Sequence, residues 1–70
     1  MVTPYGKFLR KLRIDRSERL EDMAENLGVS KSYLSLIENG AREVRSQFSS
    51  KIADIYNLTS DQCKDLILAA

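Results

Sequence analysis

Five residues, Lys31, Ser32, Tyr33, Ser35 and Leu36, fall within the run Lys31-Ser-Tyr-Leu-Ser-Leu36 and offer hydrogen-bond donors and an apolar contact, but no group that makes or breaks covalent bonds. A lysine donates to the O6 and N7 acceptors of guanine, a serine to either kind of base pair, and an apolar side chain meets a thymine methyl. On one helix face they suit a major groove, roughly 12 Å wide. Wound at about 100° per residue, Ser32 and Leu36 lie opposite Leu34 and Ile37, with Ser35 and Tyr33 flanking and Lys31 near the N-terminal end. Ser30 falls on the side of Leu34 and Ile37. Leu36 is assigned to the groove, with a protein contact as its alternative. The Tyr33 ring either reads a base or packs on the domain edge and offers its hydroxyl to a phosphate.

Nothing else in the chain competes as chemistry. There is no histidine and one cysteine, Cys63, which falls on an expected core stripe. A disulfide within the chain is excluded, and no metal site or cofactor is expected from scattered carboxylates alone. The acids are spread over helix faces rather than paired, and no glycine-rich phosphate loop occurs, so the chain reads as no enzyme and shows no small-molecule site.

The donors must be held by short helices. Leu20, Met23, Ala24 and Leu27 recur at the spacing of a helix packed on a core, and Gly28 follows where a left-handed residue ends a helix. Ser30 then offers an N-cap oxygen, Leu34 and Ile37 mark a buried side, and Asn39-Gly40 closes the second helix. Helix, glycine turn, helix is the helix-turn-helix pattern, here at about residues 18–40. Upstream, Thr3-Pro4 caps and opens a helix striped by Tyr5, Phe8, Leu9 and Leu12, and Ser17 is a candidate cap for the next. Downstream, Ser46 is the candidate cap of a fourth helix in which Phe48, Ile52, Ile55 and Tyr56 share a face, with Asn57 as its left-handed stop. Thr59-Ser-Asp-Gln62 fits a capping box, followed by a last helix over about 60–69 striped by Cys63, Leu66, Ile67 and Ala70. The expectation is one all-α domain, residues 1–70, a compact bundle of about five short helices.

The net charge of +1 hides a partition. Residues 1–19 carry net +4 and residues 31–51 net +2, against −3 over 20–30 and −2 over 52–70. Positive charge therefore gathers on the first helix and around the second half of the motif, which suits a polyanion, though solvated helix faces explain it equally well. No apolar run approaches the roughly 20 residues of a membrane span, and no signal peptide opens the chain, so a cytoplasmic location and no membrane partner are expected.

An ordered set of residues makes a resemblance specific. Arg13, Leu20-Glu-Asp-Met-Ala24, Leu27-Gly-Val-Ser30, Tyr33-Leu-Ser35, Ile37-Glu-Asn-Gly40, Arg42, Ile52-Ala53 and Leu58-Thr59 resemble the Cro/repressor helix-turn-helix family, also called the xenobiotic-response-element family, from about Lys11 to Thr59. The resemblance implies a lambda-repressor-like bundle with the motif in helices 2 and 3, and a structural ion pair between Arg13 and Glu38. It also implies DNA-backbone contacts from Asn39, Arg42 and Arg45 and from Arg19 ahead of the motif; Arg10 and Ser30 complete the backbone candidates. The chain departs from the family at Leu20, where glutamine is frequent, at Glu18, where leucine is common, and at Val44, where proline usually follows the loop arginine.

The expected function is that of a sequence-specific double-stranded DNA-binding regulator, a small repressor acting as a homodimer on a near-palindromic operator in a bacterial cell or phage-infected host. The alternative is a protein-interaction module, such as an antitoxin or restriction-modification controller, with another protein as partner. The candidate dimer contact is Leu66, Ile67 and the off-stripe Leu68; a monomeric core with one exposed leucine is its alternative. Since the chain ends soon after the fifth helix, no sensor domain is expected.

Overall fold

Local signals set most of the helix boundaries in the computed structural model, which describes residues 2–69. Helix α1 runs Pro4–Asp15, with proline at its first turn and Gly6 N–H donating to Thr3 Oγ1 at 3.1 Å. Helix α2 runs Leu20–Leu27 and ends on Gly28 at φ +69°, where Val29 N–H reaches back to the Ala24 carbonyl. Helix α3 runs Lys31–Glu38, with Tyr33 N–H donating to Ser30 Oγ at 3.0 Å. Helix α4 runs Ser46–Ile55 and is followed by left-handed Asn57, φ +51°. Helix α5 runs Ser60–Ala69 behind a reciprocal cap: Gln62 N–H donates to Thr59 Oγ1 and Thr59 N–H to Gln62 Oε1.

These five helices make an all-α bundle, with no strand among the described residues. Its core draws on every helix: Tyr5, Leu9 and Leu12 from α1, Met23, Ala24 and Leu27 from α2, Leu34 and Ile37 from α3, Phe48 and Ile52 from α4, and Leu66 from α5. Helix α1 lies close against the end of α3. Thr3 N–H donates to the Glu38 carbonyl, and a Cβ on Gly6 would run into that same oxygen. Tyr5 hydroxyl pairs with Ser49 Oγ at 2.9 Å, tying α1 to α4, and burial pushes that phenol's pKa up. Among the described residues, no helix is long and apolar enough to cross a membrane.

Several sequence expectations are corrected. Ser17 does not cap α2; it takes a left-handed conformation, φ +55°, and the cap is Arg19, whose backbone N–H donates to Asp22 Oδ2 at 2.9 Å. Ser46 is the first residue of α4, and Arg45 ahead of it makes no side-chain cap. Ser30 lies exposed at the α3 N-cap and not among the core residues. Ile55 and Ile67 leave the core for the surface. Ala70 lies outside the described residues.

Candidate nucleic-acid interface

Helix α3 is held from behind. Leu34, Ile37 and Glu38 are buried, which leaves Lys31, Ser32 and Leu36 exposed and Tyr33 and Ser35 half-buried beside them. Eight residues give little more than two turns, so the orientation of this face depends on what fixes the helix ends. At the front end the Ser30 cap satisfies one free N–H. At the far end the Glu38 carboxylate, 3% exposed, accepts two hydrogen bonds from Arg13: Nη2 to Oε1 at 3.1 Å and Nε to Oε2 at 3.3 Å. This fork-on-carboxylate geometry fixes angle as well as distance. Arg10, one turn earlier on α1, brings its Nε within 3.7 Å of Glu38 Oε1 while staying partly open to solvent.

The remaining polar candidates differ in how free they are. Asn39 donates its amide to the Ser35 carbonyl at 2.9 Å, so that group already closes its own helix. Arg19 is strongly exposed but sits 3.3 Å from Glu21 and 3.5 Å from Asp22. The Arg19 backbone N–H, aided by its guanidinium, holds the Asp22 carboxyl below its usual pKa. Arg42 lies over the Tyr33 ring, 5.8 Å from its centroid, and Arg45 stands exposed at the start of α4. Among the described residues, Lys31, Arg42 and Arg45 have no carboxylate within ion-pair distance. Lys31 at the start of α3, Arg42 over Tyr33 and Arg45 at the start of α4 are thus exposed cations that, among the described residues, have no carboxylate partner.

One cluster escaped the sequence reading. Tyr56, the last residue against α4, donates its hydroxyl to Glu18 Oε1 at 2.6 Å and accepts from Asn26 Nδ2 at 3.4 Å. Arg16 stacks over the same ring at 5.1 Å and donates to the Tyr56 carbonyl at 2.8 Å. Glu18, a departure from the resembled family, therefore joins Arg16 in tying the α1–α2 connection to the end of α4. Burial first, and then the Glu18 carboxylate, push the Tyr56 hydroxyl up to about 12. The partners are about 40 positions apart, beyond any local pattern.

At the opposite end, the candidate dimer contact needs correction. Leu66 is 1% exposed and belongs to the core, so it is no surface contact; Ile67 and Leu68 are 64% and 82% exposed. Ile67 borders a cleft of about 380 Å³ between α4 and α5, floored by Leu66 and lined also by Val44, Ala53 and Cys63.

The family model described as a helix-turn-helix domain matches residues 4–66. Among solved structures, the chain is similar to the clp gene regulator ClgR from C. glutamicum, with a TM-score of 0.75 and 29% identity, over 93% of this chain and 86% of that one. Among curated proteins, none matches.

Proposed function

This chain belongs to the helix-turn-helix domain family, and from that premise we propose that it is a sequence-specific double-stranded DNA-binding transcriptional regulator, a small repressor acting as a homodimer on a near-palindromic operator. The observation that carries the reading is α3 itself: its back is clamped through Glu38, and its front presents Lys31, Ser32, Ser35 and Leu36, with Arg42 over Tyr33 and, among the described residues, no carboxylate within ion-pair distance of Lys31 or Arg42. Similarity to a protein described as a gene regulator supports the same direction.

In this reading α3 enters the major groove, where Lys31 and Ser32 donate to base edges and Leu36 meets an apolar one. Arg42 and Arg45 pair phosphates beside it. Arg10, Arg19, Ser30 and Asn39 sit along the backbone, Arg19 exchanging its carboxylates for phosphate. The backbone of the described residues extends 28 Å along its longest axis, whereas half-sites read by a dimer lie roughly 34–36 Å apart. One copy fills one half-site, which is why the reading includes a second copy, with Ile67 and Leu68 as its contact.

Selection of bound duplexes from a random pool, followed by titration of the recovered sequence, tests this. Lys31→Ala and Ser32→Ala should each lower discrimination by about 1–3 kcal/mol per lost base contact while leaving the unfolding midpoint unchanged. No enriched sequence, or full discrimination in both variants, would overturn the groove assignment. A tight complex with another protein, without DNA retention, would favour the interaction-module alternative instead.

A further inference from the structure

Three aromatic and cationic groups form a stack beside α3. Phe48, buried at the start of α4, meets the Tyr33 ring edge to face, with centroids 6.1 Å apart and planes at 84°. Tyr33 carries Arg42 on its ring, the guanidinium carbon 5.8 Å from the centroid. Both separations lie within the ranges at which such contacts attract. The sequence positions make the stack informative. Arg42 belongs to the loop after α3, whereas Tyr33 lies in the first turn of that helix. A guanidinium from beyond the C-terminal end of α3 thus lies over a ring carried by the first turn of that helix. Among the described residues no carboxylate competes for Arg42. A long, exposed side chain on a polar loop otherwise samples many rotamers, and binding an anion would have to freeze them.

We propose that Tyr33 is a positioning residue: braced on Phe48, it preorganises Arg42 for a backbone phosphate and does not itself read a base or bind the phosphate. This rests on the DNA-binding reading of α3 and names a regulator of affinity within it. Removing the ring leaves the Arg42 charge in place, so the contact still forms, at the cost of ordering a free side chain. Removing Arg42 deletes the contact.

The test uses the full chain and a mixed-sequence duplex of roughly 20–30 base pairs, titrated over a range of salt concentrations. Arg42→Ala should reduce the slope of log affinity against log salt by about 0.9, one phosphate contact. Tyr33→Leu should keep the wild-type slope and weaken binding about two- to five-fold, the size of an exposed cation–π contact. Tyr33→Phe, which keeps the ring, should bind as wild type. In an Arg42→Ala background Tyr33→Leu should add no further loss. An equal loss in both backgrounds, or weakened binding by Tyr33→Phe, would overturn the proposal and assign the tyrosine its own DNA contact. Should Tyr33→Leu fail to fold, Arg42→Lys replaces it: the charge stays, the planar stack goes, and the slope holds while affinity falls by the same factor. The free protein gives an independent readout. The Arg42 side-chain methylene protons should be shifted upfield by the Tyr33 ring, a shift kept in Tyr33→Phe; its absence from the wild-type spectrum would overturn the stack. If the wild-type chain binds no duplex, the regulator reading fails, and this spectrum still decides whether the ring holds the arginine.

Discussion

Two side chains matter beyond their own positions. Glu38 is a carboxylate with 3% of its side chain exposed, tolerable because Arg13 meets it with two hydrogen bonds. Arg13→Met strands that charge and should cost about 3–5 kcal/mol, measured as a fall in urea midpoint at unchanged m-value. Arg10, at 3.7 Å, moves inward to share the load and places the loss at the lower end of that range. Pairing Arg13→Met with Glu38→Met should recover most of it, because an apolar pair leaves no charge unpaired. A single-variant loss below about 1 kcal/mol would show that the pair is no more than a surface contact. Tyr56 acts through protonation. Its folded pKa, about 12, lies above the ordinary 10.0, so the neutral phenol is the form the fold prefers. The stability it contributes is therefore complete below pH 10 and lost as pH rises towards 12. Tyr56→Phe should flatten this alkaline limb while lowering stability at neutral pH through the lost hydrogen bond to Glu18. Chemical denaturation at a series of alkaline pH values reads both effects, and an unchanged limb in the variant would assign the loss to Tyr5 or to another group.

The helices show which physical signals are local and which are not. Caps at Thr3, Ser30 and Thr59-Gln62, and stops at Gly28 and Asn57, are readable from the chain because each is settled within a few residues. The failures have tertiary causes. Ile55 shares an apolar stripe with Phe48 and Ile52, but the buried arc of α4 is turned towards Ser49, which is drawn inward by the hydroxyl of Tyr5, leaving Ile55 at the rim. Ile67 borders the cleft between α4 and α5 rather than filling it. The exposed face of α3 was readable because Leu34 and Ile37 fix its back, whereas the Tyr33–Phe48 brace and the Tyr56 cluster depend on where α4 lands. Gly6 belongs with these. In sequence it is only a weak helix residue, yet it is the point at which α1 meets the Glu38 carbonyl. Propensity alone would make Gly6→Ala stabilising by up to about 1 kcal/mol. Here the added Cβ meets backbone, which cannot swing aside, so α1 and α3 must separate, and the expected net result is a loss of about 1–3 kcal/mol. Thermal unfolding checks the sign, and an increased midpoint would mean that the two helices lie further apart than described.

At the scale of the whole molecule, the proposed DNA face and the exposed leucine answer different needs. Positive charge on α1 and around α3 suits a polyanion in a single copy, and in the proposed reading that copy, 28 Å along its longest axis, covers one half-site. On the proposed dimeric reading, selectivity for a two-part operator would depend on coupling two copies, for which Leu68 is the most exposed large apolar side chain among the described residues. With 82% of its surface exposed it packs little among the described residues, so Leu68→Glu should leave the unfolding midpoint unchanged at concentrations where the wild-type chain is monomeric. The coupling itself should disappear. Linking two sites raises affinity about 10²–10⁴-fold over either alone, so binding to a duplex with both half-sites should weaken by at least about 100-fold. Affinity for a duplex carrying one half-site should stay as in wild type, because a change near the C-terminus of α5 leaves α3 and its clamp untouched. Sedimentation equilibrium of the free protein follows the same substitution directly. Full retention of two-half-site affinity in Leu68→Glu would exclude this face as the contact and move the search to other exposed apolar residues, Ile14 and Ile55 first.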